Sequence, residues 1–153
     1  MYLASIHLYP LKAGRAVDLS KAQVEPWGLA GDRRWLLVDP GGRFISQRTE
    51  SALALVTARY EPASPGTGAD AAVAAITVTA AGFPPLTILA PSQAAGAPML
   101  SVTIWGSTVL AAAAGPAADK WFSRYLGRPV QLVYLDDPTR REVDPGFGAA
   151  SDR

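Results

Sequence analysis

Apolar and polar side chains alternate along this chain in short runs, and each run is closed by Gly, Pro or Asp. Alternation at period two marks half-buried strands, and the closing residues mark turns. The runs predict a first strand within Tyr2 to Leu11, broken by Pro10, and a second over Val17 to Val24. After the loop signals Pro26-Trp27-Gly28 and Gly31, Arg33 to Val38 reads as a core strand. Pro40-Gly41-Gly42 predicts a tight turn returning into Arg43-Phe44-Ile45-Ser46. Further strands are expected at Leu53 to Tyr60, Ala75 to Thr79, Leu86 to Leu89, Leu100 to Trp105, Thr108 to Ala112 and Val130 to Leu135. Pro62 to Asp70, rich in Pro, Gly, Ser and Thr, reads as a loop.

One segment breaks the pattern. Pro116 suits the first position of a helix and Gly127 the position just past its end, with Trp121, Phe122 and Tyr125 at helical spacing between them. Positions i and i+4 share a face, so Trp121 and Tyr125 are expected to pack inward with Phe122 at the edge of the contact. Many short, turn-bounded strands and one helix predict a mainly β fold, a barrel or a sandwich, with the helix covering an end.

Length and composition narrow the function. At 153 residues, 49% hydrophobic and 18% charged, the chain reads as one globular domain. A net charge of +1 gives no electrostatic case for nucleic acid or an anionic membrane. The absence of cysteine removes disulfides, thiolate ligands and a cysteine nucleophile from this chain, and the single histidine, His7, excludes a His-rich metal site. The first residues lack the basic and apolar regions of a secretory signal, and no apolar run reaches membrane-spanning length, so a cytoplasmic location is expected.

No P-loop, dinucleotide fingerprint, HExxH or nucleophile elbow is present. What stands out is basic residues at turns: Lys12 after the Tyr9-Pro10 break, Arg33 and Arg34 before a buried run, and Arg48 in Ser46-Gln47-Arg48. Strand alternation forbids Arg33 and Arg34 from pointing the same way. If these turns meet at one rim they form a cationic pocket suited to phosphate or another planar anion. Alternatively, Arg33 pairs Asp32, Asp39 or Glu50, and Lys12 is solvated. His7 reads as a satisfied sheet residue, and the adjacent Asp136 and Asp137 as solvated acids rather than an acid–base pair. Trp27, Trp35, Trp105 and Trp121 read as core or cap residues, Trp105 having the alternative of stacking on a planar ligand.

The ordered set "SIHLYPLKAG", "GLAGDRRWLLVD", "RFISQRTESALALV", "IWGSTV" and "KWFSRYLGRPVQLVYL" resembles the N-terminal β-barrel domain of the MOSC family, which includes the mitochondrial amidoxime reducing component. The resemblance implies a small barrel of mostly antiparallel strands over residues 1–135 and a linker-like tail over 136–153 leading towards a MOSC domain that this sequence lacks. It implies a role in molybdenum cofactor (molybdopterin) binding, in a protein that reduces N-hydroxylated compounds or transfers sulfur. The implied partners are a MOSC domain, in cis or in trans, that supplies the cysteine ligand of the metal, and an electron donor. This chain alone is then not expected to be catalytic. Carried over by motif, Tyr-Pro-x-Lys gives Lys12, Asp-Arg-x-Trp gives Arg33, and the "SQR" segment gives Arg48. By this resemblance Arg33 faces the ligand cleft and Arg34 faces out. Ala13 stands where relatives commonly have serine, so its backbone N–H is what remains for the cofactor. The alternative function is a standalone, non-catalytic module that binds an anion or a partner protein.

Overall fold

The computed structural model describes residues 2–61 and 75–141. The loop read at Pro62 to Asp70 and the tail beyond residue 141 lie outside these. Eleven strands, one α-helix and two short 3-10 turns make up the described fold.

Strand β1 (Ile6–Leu8) pairs antiparallel with β2 (Val17–Leu19), and β3 (Val24–Glu25) with β4 (Gly28–Leu29). A four-stranded sheet has the order β5-β11-β10-β9, from β5 (Trp35–Val38), β11 (Gln131–Tyr134), β10 (Ser107–Ala113) and β9 (Met99–Ile104). A three-stranded sheet follows chain order in β6 (Thr57–Tyr60), β7 (Ala75–Ala80) and β8 (Phe83–Leu89). Every ladder is antiparallel, so the mainly β class holds. Closure does not: among the described residues the sheets remain separate, with isolated bridges at Leu11 to Trp35, Arg15 to Thr57 and Arg43 to Thr103 beside them.

Strand β5 shows why the fold needs two cores. All four of its residues are buried. Alternate side chains point to opposite faces. Trp35 and Leu37 enter the larger cluster with Leu53, Val78, Phe122 and Leu132, whereas Leu36 and Val38 enter a smaller one with Val102, Val109 and Val133. A strand covered on both sides reads as a continuous apolar run, as "WLLV" does.

Helix α1 (Pro116–Leu126) has the bounds that the sequence predicts. Pro116 opens it, and Gly127 closes it in the left-handed region at φ +67°, its N–H donating to the Ser123 carbonyl. Its packing departs from expectation. Phe122 is completely buried, Trp121 nearly so, and Tyr125 sits at the margin with its hydroxyl donating to the Ala52 carbonyl at 3.0 Å. The helix presents its Ala118–Trp121–Phe122 side to the core, so i+1 rather than i+4 accompanies Trp121 inward.

The other differences lie at strand ends. The first strand shortens to Ile6–Leu8 and the second ends at Leu19. The segment read as one strand from Leu53 is a 3-10 turn over Ser51–Leu55 followed by β6, because Leu53 drops into the core. Arg33 and Arg34 precede β5 rather than lying on it. The turn at Gly42 (φ +77°) is pressed onto β9, where a Cβ would lie 2.6 Å from the Ser101 carbonyl oxygen. Thr103 N–H donates to Gly42 and Phe44 N–H to Thr103, which fixes Phe44 beside the tip of the β9–β10 hairpin.

Candidate functional site

Two chain segments are zipped together at one end of the fold. Trp35 N–H donates to the Pro10 carbonyl, and Lys12 N–H to the Trp35 carbonyl at 2.7 Å. Arg33 N–H donates to Tyr9, and Tyr9 N–H to the Asp32 carboxylate. These backbone bonds put Lys12 and Arg33 on one rim. A third segment joins through Gln47, whose side-chain amide donates to the Ala13 carbonyl at 2.8 Å. Between them lies a cleft of about 380 Å³.

Lys12, Ala13, Arg33 and Arg48 all line this cleft. Its walls are completed by Tyr9, Phe44 and Trp105. Each cation lies over an aromatic ring: Lys12 Nζ is 5.2 Å from the Phe44 centroid, Arg33 4.9 Å from Tyr9 and Arg48 5.5 Å from Trp105. Phe44 in turn meets Trp105 edge to face at 4.9 Å. Rings and cations attract through the ring quadrupole, so the walls support the charges without neutralising them.

Among the described residues no carboxylate lines the cleft. Asp32, outside the lining, pairs with the Arg33 guanidinium. The ion pair considered as the alternative for Arg33 is therefore present, and Arg33 still borders the cleft. Among the described residues neither Lys12 nor Arg48 has an ion-pair partner. Burial holds the Lys12 ammonium below its usual pKa, and Arg141 and Arg33 push the same way, opposed by Asp32.

The backbone is unusual here as well. Ala13 (φ +67°), Arg33 (φ +51°) and Trp105 (φ +56°) are the non-glycine residues at positive φ among the described residues, and all three line the cleft. L residues enter this region at a cost, and such positions gather at binding sites.

Arg34 is not in the cleft, as expected, but neither does it face out. It is half-buried, with Nε donating to the Leu135 carbonyl at 2.6 Å and Nη2 to Asp136 at 3.0 Å, and it lies over the Tyr134 ring. His7 is a surface residue bonded to Asp18 and Ser5. Asp136 and Asp137 do not form an acid–base pair: Asp136 pairs with Arg140 and accepts the Gln93 N–H, and Asp137 accepts from Thr139. Trp35 and Trp121 are core residues, but Trp27 and Trp105 are 44% and 62% exposed. Among the described residues there is no cluster of His, Cys, Asp and Glu able to hold a metal ion.

The described residues form a mainly β domain with a cationic, aromatic-walled cleft at one end. Residues 1–129 match the family model of the MOSC N-terminal beta barrel domain, and the chain belongs to that family. It is similar to the molybdenum cofactor sulfurases of Homo sapiens and Bos taurus, each 23% identical over 146 residues and 95% of this chain. The chain spans only 15% and 16% of the length of those relatives. In fold it is similar to the solution structure of a protein of Bordetella bronchiseptica, with a TM-score of 0.56 at 18% identity, covering 82% of this chain and 95% of that one.

Proposed function

We propose that the cleft binds the phosphate and pterin end of the molybdenum cofactor, as one part of a larger cofactor-binding protein. The observation that carries this reading is the convergence of Lys12, Arg33 and Arg48 on a cleft that no carboxylate of the described residues lines. Arginine supplies paired donors to a phosphate and lysine a compact charge. An anion between them offsets the burial, and the weaker repulsion from Arg141 and Arg33, that hold the Lys12 pKa down. The family match and the sulfurase relatives support the same ligand.

The residues fit one end of the group only. Lys12 and Arg33 suit its phosphate, Arg48 and the aromatic walls suit its ring, and a sequence without cysteine offers no thiolate to the metal. A MOSC domain, in cis or in trans, would supply that ligand. When bound, the cofactor would contribute its metal-centred redox or sulfur chemistry to the whole protein, which we place among reductases of N-hydroxylated compounds or sulfur transferases, served in the reductive case by an electron donor. This chain's own task is to bind, orient and partly enclose the anion.

Phosphate titration followed by backbone amide shifts tests the reading. Millimolar affinity is expected, because two or three charge-assisted bonds of about 1.5–3 kcal/mol each must offset the entropy lost on binding. Arg33→Ala should weaken binding about tenfold, whereas Arg59→Ala, an exposed arginine on β6, should leave it unchanged. Equal effects from the two variants would refute a phosphate site at Arg33.

A further inference from the structure

We infer that Ser5, His7 and Asp18 form a surface acyl-transfer site, with Ser5 as the nucleophile towards small activated carboxylic esters. This goes beyond the cofactor reading, because none of the three lines the cleft. Ser5 stands just before β1 and His7 lies within it, at alternate positions that an extended backbone turns to one side. The ladder with β2 sets His7 directly opposite Asp18. The side chains then meet in a row: Ser5 Oγ lies 2.9 Å from His7 Nε2, and His7 Nδ1 lies 2.7 Å from the Asp18 carboxylate.

The proton positions follow from what each group can donate. A carboxylate only accepts, so Nδ1 carries the hydrogen shared with Asp18. In the neutral ring Nε2 is then an acceptor, and the Ser5 hydroxyl donates to it. That is the tautomer a general base needs beside a serine. A histidine that only tied β1 to β2 would need Asp18 alone. The second bond aims its free lone pair at a nucleophile. In the reaction, a bond forms between Ser5 Oγ and the acyl carbon as the bond to the leaving alkoxide breaks. The hydroxyl proton passes to His7 Nε2 and on to that alkoxide. Water then repeats the sequence on the acyl-serine and restores the hydroxyl. All three residues are exposed, so the site selects by leaving group rather than by shape.

The full 153-residue chain is treated with an alkyl fluorophosphonate, which traps an activated serine, and the adduct is located by peptide mass spectrometry. Ser5 should label about a hundredfold faster than Ser107, an exposed serine on β10, the low end of what a positioned base contributes. His7→Gln should remove that advantage. Asp18 acts through His7 and is a positioning residue. Asp18→Asn frees the ring to take the other tautomer and should slow labelling about tenfold, with Asp18→Glu restoring most of the rate. With 4-nitrophenyl acetate, nitrophenolate release should fall in Ser5→Ala. Arg33→Ala, which weakens the proposed phosphate site, should change none of these rates. Equal labelling of Ser5 and Ser107, no labelling of Ser5, labelling untouched by His7→Gln, or ester turnover undiminished in Ser5→Ala overturns the site. If His7→Gln does not fold, Asp18→Asn carries the test, and undiminished labelling there overturns it.

Discussion

Arg34 reaches the far end of the chain to hold Leu135, its Nε 2.6 Å from that carbonyl oxygen. Arg33, one residue earlier, borders the cleft, and Arg34 fastens the strand entry to the end of β11, where Leu135 N–H donates back to the Arg34 carbonyl. Two neighbouring arginines thus have opposite tasks, one facing the candidate ligand site and one structural.

Removing the clamp should therefore cost stability. Arg34→Ala loses two hydrogen bonds from a half-buried cation and is expected to destabilise the fold by about 1.5–3 kcal/mol in urea unfolding. Arg34→Lys should recover only part, because the two carbonyls need donors in a fixed fork. An unchanged denaturation midpoint in Arg34→Ala would show that the clamp contributes nothing.

Ala13 gives a prediction in the other direction. It adopts φ +67°, which costs an L residue about 1–2 kcal/mol, whereas glycine enters freely but loses about 0.5–1 kcal/mol through chain entropy. Ala13→Gly should accordingly raise stability by up to about 1.5 kcal/mol, read as a higher Tm. A lower Tm would mean that the methyl packing against the core outweighs the backbone relief.

The depressed pKa of Lys12 fixes a pH dependence. The charged ammonium is less well accommodated in the fold than in the unfolded chain, so the unfolded state holds the proton more tightly. The resulting penalty is complete below the folded pKa and disappears as pH rises through the folded value towards the unfolded value near 10.5. Lys12→Met keeps an unbranched side chain over Phe44 without the charge. It should be more stable than the parent at pH 7, with the gap closing in alkali, while phosphate affinity falls. Urea midpoints at a series of pH values check this, and a gap that widens with pH would contradict it.

Phe122 is expected to be an anchor of α1. Its complete burial predicts a loss of about 3–5 kcal/mol for Phe122→Ala. Tyr125→Phe, which removes only the hydroxyl bond to Ala52, should cost about 1 kcal/mol. Chemical denaturation of the two variants separates them, and similar losses would put the helix contact in the wrong place.

These residues also mark how far the sequence could be read. The bounds of α1 were visible because Pro116 and Gly127 act locally through their own φ angles. Its buried face was not, because which side turns inward is decided by packing against β8, some thirty residues earlier, and β11, just after the helix, and not by spacing within the helix. Lys12, Ala13, Arg33 and Arg48 could be named from motifs that resemble a family, and they share one cleft. Alternation along a strand did not describe Arg33, which sits at φ +51° in a turn before β5. Tyr9, Phe44 and Gln47 were missed, since each meets its partner across the fold and no spacing announces it. Trp105 carried the one usable signal, a tryptophan beside glycine at a hairpin tip, where no core was available to take it.

The cleft is assembled from residues 9–14, 33, 44–48 and 105, four stretches with no contact in an extended chain. No single stretch forms the cleft before the others arrive, so for a ligand bound there, as proposed, occupancy and folding would share one equilibrium. A ligand present at a hundred times its dissociation constant would add about 2.7 kcal/mol to the unfolding free energy. The same ligand should slow hydrogen exchange at amides throughout the cooperative core, and a melting curve alone would report whether the cleft is filled.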